Sequence, residues 1–332
     1  MKLDNSAPTK GGGKRMPFNY TKNTVRRSRL IMPANVAKFV EKAYLRNADC
    51  IVLDLEDSVP QAEKTATRQL IKKLIPVAGK GGSEVFVRVN NNEEYLKDDI
   101  EASVWPGLDG LYIPKVESGT EIRAIEKLVE KLEQERGIPA GQIKLSVIIE
   151  SCKGYLNINE IASASERVDS LTLGIEDFLR DAGMVENGET QYGLMAPRLQ
   201  INIVARAHNK IPMGLIGSLA NYGDANAFEK SAELAYQYGF LGASCINPAN
   251  VETLNRAFTP KAAEVEQAKN IIAVFEEAMA QGRGSTKLEG KMIDYVHYER
   301  AQALVERASI IEAFEQKKQT AREEITKEGA VK

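Results

Sequence analysis

Hydrophobic residues in this chain gather into short unbroken runs, and run after run stops at a charged residue. The stretches are CIVLDLEDS (Cys50–Ser58), VFVRVNN (Val85–Asn91), GLYIPKVES (Gly110–Ser118), LSVIIES (Leu145–Ser151) and LTLGIEDF (Leu171–Phe178). They are rich in β-branched residues and lack polar alternation, the pattern of a strand buried on both faces of a parallel sheet. With Arg29–Ala34, Pro212–Ile216 and Ala243–Ile246 they predict eight strands. Apolar positions at helical spacing between them predict helices near Asn35–Arg46, Ala62–Leu74, Asp98–Ser103, Thr120–Arg136, Ile158–Ser163, Pro197–His208 and Ala227–Tyr238. Eight even β/α units over about 230 residues favour a TIM (β/α)8 barrel over a doubly wound open sheet. Beyond it, Pro260–Gln281 reads as a long helix, Gly282–Thr286 as a flexible break and His297–Glu323 as a last helix. The expected organisation is a flexible N-terminal arm (1–23), a barrel catalytic domain (24–260) and a C-terminal helical arm (261–332) that packs on a neighbouring subunit.

The 332 residues are 43% hydrophobic, enough for a full core, and the net charge of −2 gives no sign of a nucleic-acid or anionic-membrane partner. No apolar run approaches the roughly 18 residues of a membrane span, and the N-terminus lacks the apolar core of a signal peptide. Cys50, Cys152 and Cys245 stand apart within apolar runs and read as buried reduced thiols. A cytoplasmic protein is expected. GRGSTKLEGKM has five residues between Gly284 and Gly290, where a phosphate-binding loop has four, and Met292 replaces Ser/Thr. The two histidines, His208 and His297, flank helices and read as surface or capping residues, so His-based triads and zinc sites are not expected.

Ligands of parallel barrels bind at the carboxyl ends of the strands. That rule places Glu56, Asp57, Arg88, Lys115, Glu117, Glu150, Glu176 and Asp177 on one rim. Glu150 and Asp177 end neighbouring strands, and two carboxylates leaving room for water and ligand suit Mg²⁺; as ordinary rim acids they would pair with Lys or Arg. Arg88 needs either a neighbouring acid or a substrate carboxylate. Glu56 and Asp57 orient metal-bound waters or cap the next helix. Lys115 and Glu117 read as a rim ion pair.

Several strings then carry a resemblance: RSRLIMPAN, DLEDSVPQAEKTATR, VRVNN, GLDGLYIPKVES, IIES, GIEDFLRDAG and LEGKMID. In order from about Arg26 to Ile311, they resemble the citrate lyase beta-subunit-like branch of the HpcH/HpaI aldolase superfamily. The resemblance implies a TIM barrel, Mg²⁺, a homotrimer or hexamer, and reversible carbon–carbon cleavage of malyl-, citramalyl- or citryl-CoA. It implies Glu150 and Asp177 as metal ligands and Arg88 as the group that holds substrate oxygens. Asp294 is implied as an acid/base residue carried by the arm to a neighbour's site, and Arg26, Arg27 and Arg29, assisted by Lys64, as a contact for CoA phosphates. Two departures stand out. Ala243 and Asn247, in GASCINP, replace a Lys and a His, and IPMGLIGS lacks an acidic residue. They bear on the thioester carrier, leaving open a free 2-oxo-acid aldolase or an accessory subunit that binds an acyl-carrier protein.

Overall fold

In the computed structural model, which describes residues 24–185, 187, 190–217 and 224–330, the charged-ended runs are neighbours in one sheet. Its strands are β1 (Ser28–Pro33), β2 (Cys50–Asp54), β3 (Glu84–Arg88), β4 (Gly110–Ile113), β5 (Lys144–Ile149), β6 (Val168–Leu173), β7 (Ile211–Met213) and β8 (Ala243–Cys245). All pairings are parallel, in the order β7-β6-β5-β4-β3-β2-β1-β8. No ladder joins β7 to β8. Two backbone bonds span that seam instead: Leu241 N–H to the Pro212 carbonyl at 3.0 Å, and Gly214 N–H to the Gly242 carbonyl at 2.9 Å. Pro212 has no N–H for a ladder, which accounts for the short pairing there. The barrel fold expected from the eight runs is the fold found.

Two-sided burial explains the unbroken apolar runs. Inward residues Cys50, Val52, Phe86, Tyr112 and Ile148 form one cluster, with Ile31 packed on it. Outward residues such as Leu30, Ile51, Val87, Leu111 and Val147 join the larger cluster beneath the helices. Gly242 lies so close to the chain entering β1 that a Cβ there would sit 1.9 Å from the Arg26 carbonyl oxygen, so only glycine fits.

Several boundaries differ from expectation. Asn35–Arg46 is one α-turn (Ala37–Val40) and a 3₁₀ turn (Ala43–Arg46), because Phe39 and Leu45 are exposed and Asn47, at φ 56°, ends the run. The helix expected near 62–74 splits into Lys64–Arg68 and Ile71–Ala78. Pro197 lies inside helix Thr190–Ala207 rather than at its start. β6 ends at Leu173, and Ile175–Asp181 is helical, so Glu176 and Asp177 belong to a first helical turn and not to a strand. The run expected as a break continues into a hairpin of β9 (Ser285–Leu288) and β10 (Lys291–Asp294). Cys50 and Cys245 are buried, but Cys152 is only partly so.

The chain divides into two compact units, and the expected 261–332 arm divides with them: Ala262–Glu306 forms one, while the residues from Arg307 onward group with the barrel. Within the barrel unit, the end of helix Tyr295–Ala330 covers the amino ends of the strands. Lys318 there is fully buried and donates to Asp49 at 2.7 Å and to the Asn47 carbonyl at 2.9 Å. The expected arm over residues 1–23 lies outside the described residues. No helix among the described residues is long and apolar enough to cross a membrane.

Candidate active site

The carboxyl ends of the strands surround a cavity of about 350 Å³. Its floor includes Ile31, Tyr112 and Ile148, and its wall includes Arg88, Glu150 and Asp177. A second cavity of about 450 Å³ lies at the same end, lined by Glu56, Lys115 and the asparagines Asn90, Asn91 and Asn92.

Arg88 ends β3 opposite Asp54, its register partner on β2. Its Nε and Nη2 donate to the two Asp54 oxygens, both at 2.7 Å, in a fork-to-fork pair. Asp54 also accepts the Glu56 N–H at 2.9 Å, and the N–H and hydroxyl of Ser58 at 3.0 and 2.5 Å. Burial pushes the Asp54 carboxyl up, but Arg88 and these donors outweigh it and hold the group below its ordinary range. With two edges spent, Arg88 keeps only Nη1 for the rim, 3.1 Å from Glu56 and 3.4 Å from Asp57. Of the alternatives open for Arg88, the neighbouring acid takes the bidentate face. Asp54 is the residue the sequence reading missed.

Glu56 is buried and accepts Lys115 Nζ at 2.6 Å, whereas Asp57 is mostly exposed. Burial is the main cause that raises the Glu56 carboxyl, with Arg88 and Lys115 opposing it. The expected Lys115–Glu117 pair is not formed. Glu117 instead accepts Ser151 and Lys153, each at 2.8 Å. Lys115 sits at φ 53°, in the left-handed region that costs a non-glycine residue about 1 kcal/mol or more. That conformation points its N–H at Glu150 Oε1, 2.7 Å away. Asn91 secures the turn by donating to the Pro114 carbonyl at 2.8 Å.

Glu150 follows β5. Its Oε2 accepts no hydrogen bond among the described residues. Burial, reinforced by the Glu56 and Asp177 carboxylates, pushes its carboxyl up to about 8. Asp177 lines the same cavity and pairs with Arg180 at 2.5 Å. Gly174 makes room for this acid: a Cβ there would lie 2.4 Å from Glu150 Oε2. Among the described residues no three His, Cys, Asp or Glu side chains form a metal-holding group. The donor set is therefore two carboxylates open to one cavity, which suits a hard cation that keeps water or ligand oxygens in its other positions.

The proposed phosphate contacts are placed elsewhere. Arg26, Arg27 and Arg29 precede or begin β1, so they sit at the opposite end of the barrel or inside it. Arg26 is buried against Glu84 at 2.5 Å and Asp169 at 2.6 Å. Arg27 forks onto Asp49 with two bonds of 2.8 Å and also meets Glu315. Arg29 is fully buried, stacked 4.6 Å from the Tyr112 ring, with Nη2 3.3 Å from the Ser170 hydroxyl. Lys64 is buried and spends its donors on the Leu55 and Glu56 carbonyls and on Asn90, at 3.0, 2.7 and 2.8 Å. These four cations hold the fold; a phosphate at the mouth does not meet the three arginines, and Lys64 braces the loop after β2. Ala243 lines the cavity, while Asn247 caps the turn after β8 by accepting the Ala249 N–H at 3.1 Å.

In the other unit, Asp294 ends β10 and caps the following helix. Its Oδ1 accepts the N–H groups of Val296 and His297 at 3.1 and 3.2 Å and lies 2.6 Å from His297 Nδ1. The His297 side chain, followed by its N–H, holds the Asp294 carboxyl below its ordinary range. Reading His297 as a capping residue did not reveal this pair.

A family profile described as HpcH/HpaI aldolase/citrate lyase matches residues 27–248. The chain belongs to this family. It is 33% identical over 287 residues to the citrate lyase subunit beta of Leuconostoc mesenteroides subsp. cremoris, covering 86% of this chain and 94% of that one. It is 31% identical over 307 residues to the L-malyl-CoA/beta-methylmalyl-CoA lyase of Cereibacter sphaeroides, covering 86% and 96%. Its fold matches the crystal structure of the protein CitE from Mycobacterium tuberculosis in complex with magnesium, acetoacetate and coenzyme A. The TM-score is 0.69 at 22% identity, over 86% of this chain and 99% of that one. The protein is thus a carbon–carbon lyase of the citrate lyase beta-subunit and malyl-CoA lyase group.

Proposed function

We propose that the chain cleaves, reversibly, a 3-hydroxyacyl thioester of malyl-, citramalyl- or citryl-CoA type into acetyl-CoA or a related thioester and a 2-oxo acid, with Mg²⁺ held by Glu150 and Asp177. The observation that carries the reading is the shared cavity. Two carboxylates, one with a free oxygen, open onto the same apolar-floored space as Arg88, whose Nη1 faces the rim. Relatives named for citrate lyase and malyl-CoA lyase support the substrate class. The magnesium, acetoacetate and coenzyme A bound by the CitE structure support the cation and the carrier. Bound there, Mg²⁺ supplies a Lewis acid for the oxygens of the substrate.

The side chains divide the remaining work. Asp54 fixes the plane of the Arg88 guanidinium, so Nη1 offers a preset hydrogen bond to oxygen on which charge develops. Lys115 ties Glu56 by its side chain and Glu150 by its N–H, holding two like charges at one rim. As the carbon–carbon bond breaks, its electron pair passes to the α-carbon of the thioester, and Asp294 from a neighbouring copy donates the proton that carbon needs. That role requires an oligomer, for which we propose a homotrimer or hexamer, and a monomer in gel filtration would count against it.

The deciding experiment is release of glyoxylate, pyruvate or oxaloacetate from malyl-, citramalyl- and citryl-CoA, with and without Mg²⁺. Mg²⁺-dependent release from one of them is the expected result. Release only from free hydroxy acids or from carrier-protein thioesters would replace this reading by one of the two alternatives that Ala243 and Asn247 leave open.

A further inference from the structure

The cap on helix Tyr295–Ala330 is built with more than a cap requires. An aspartate at this position satisfies the first helical N–H groups on its own. Asp294 does so, and the same Oδ1 also lies 2.6 Å from His297 Nδ1. Both side chains are partly exposed, 38% for Asp294 and 43% for His297. Asp294 Oδ2 accepts no hydrogen bond among the described residues. The nearby aromatic side chains are engaged with one another: Phe275 packs on Tyr295 and Tyr298 at ring distances of 6.3 and 5.2 Å. The Tyr298 hydroxyl donates to Glu276, on helix Ala262–Ala280, at 2.9 Å. That acid is therefore taken up by tyrosine, and Tyr295 and Tyr298 are the other titratable groups on this turn. Among the described residues His297 is the side chain that faces Asp294 Oδ1.

We propose that Asp294 and His297 act as one proton-carrying pair, with His297 as the positioning residue that supplies Asp294. The proposal rests on the reading of Asp294 as proton donor. In cleavage, the Nδ1–H proton of His297 passes to Asp294, whose O–H bond breaks as a C–H bond forms on the α-carbon of the departing thioester, leaving the carboxylate and a neutral imidazole. The imidazole regains a proton from solvent, which has received the substrate hydroxyl proton, so the count closes. Condensation runs the same transfers backwards. An aspartate carboxylate that is ionised at neutral pH has no proton to give; the imidazole at hydrogen-bond distance is the group that supplies one.

Two measurements test the pair. The chain has only two histidines, so ¹³Cε1-histidine labelling of the full-length protein gives two ring signals, and His208→Gln assigns them. With ¹⁵N ring labelling added, His297 is expected to carry a proton on Nδ1, facing Asp294, and to move toward the Nε2–H tautomer in Asp294→Asn. Identical tautomers in both proteins overturn the pair whether or not a substrate is known. In the turnover assay, His297→Ala and His297→Gln are expected to lower kcat at least tenfold with KM within twofold. They should also displace the pH profile, and added imidazole should restore part of kcat to His297→Ala. If Asp294→Asn is inactive while both His297 variants keep the wild-type kcat and pH profile, the pair is wrong and the donor role of Asp294 stands. If Asp294→Asn keeps full turnover, the donor role fails and the pair fails with it.

Discussion

Glu150→Gln separates what the candidate metal ligand costs the fold from what it gives to function. The substitution keeps the shape and an oxygen for the Lys115 N–H while removing the charge. Burial and the Glu56 and Asp177 carboxylates carry this acid from 4.5 to about 8. Roughly 3.5 units at about 1.4 kcal/mol each set a ceiling of about 5 kcal/mol. The sign follows from proton linkage. Above pH ~4.5 the unfolded chain loses this proton while the native chain keeps it until about 8, so the native state binds more protons and stability falls as pH rises through that window. Urea unfolding in EDTA at pH 4.5, 6.5 and 8.5 should show wild type and variant together at the lowest pH. The variant should be ahead by about 2–3 kcal/mol at 6.5 and by up to about 5 at 8.5. Mg²⁺ should narrow the gap, closing it at pH 6.5 and roughly halving it at 8.5, because wild type alone gains RT ln(1 + [Mg]/Kd), about 2.7 kcal/mol at a hundredfold excess over Kd. A gap that is the same at all three pH values would refute the reasoning.

Gly174→Ala drives a Cβ to 2.4 Å from Glu150 Oε2 and 2.8 Å from its Cβ; Mn²⁺ titration should show at least a tenfold weaker site, about 1.4 kcal/mol, with unchanged circular dichroism. Arg88→Lys cannot reproduce the fork on Asp54, so turnover should fall about a hundredfold or more, and unaltered kcat would remove Arg88 from the chemistry. Lys318→Met leaves the fully buried Asp49 with Arg27 alone and should cost about 3 kcal/mol in urea unfolding. A loss under 1 kcal/mol would show that the helix end is not anchored there.

The strands were legible because burial on both faces writes itself as unbroken apolar runs, and Glu150 and Arg88 were legible because they close such runs; Asp177 lies in the helical turn beyond β6, not at a strand end. Asp54 was hidden by its register. Nothing in DLEDS marks its first residue as the Arg88 partner, and only the β2–β3 pairing places it opposite. The hairpin Ser285–Asp294 was missed because its turn is Glu289-Gly290, at φ 50° and 78°, where Asn-Gly or Asp-Gly is the usual signal. The misplaced cations had a warning in the chain direction. Residues ahead of a parallel strand lie at the end opposite those that follow it, so Arg26 and Arg27 could not share a rim with Glu56 and Arg88.

That separation of ends explains why the two charge clusters behave differently. At the amino end three buried cations have acids: Arg26 has Glu84 and Asp169, Arg27 has Asp49 and Glu315, and Lys318 shares the last two. At the carboxyl end Asp54, Glu56 and Asp57 divide Arg88, Lys115 goes to Glu56, and Arg180 goes to Asp177. Among the described residues Glu150 receives only a backbone N–H. The first arrangement satisfies its charges and locks the last helix to the barrel. The second leaves one buried carboxylate short of a positive partner beside an open cavity, a state that costs stability until a cation joins it. The fold can carry that cost at the mouth because the opposite end is closed.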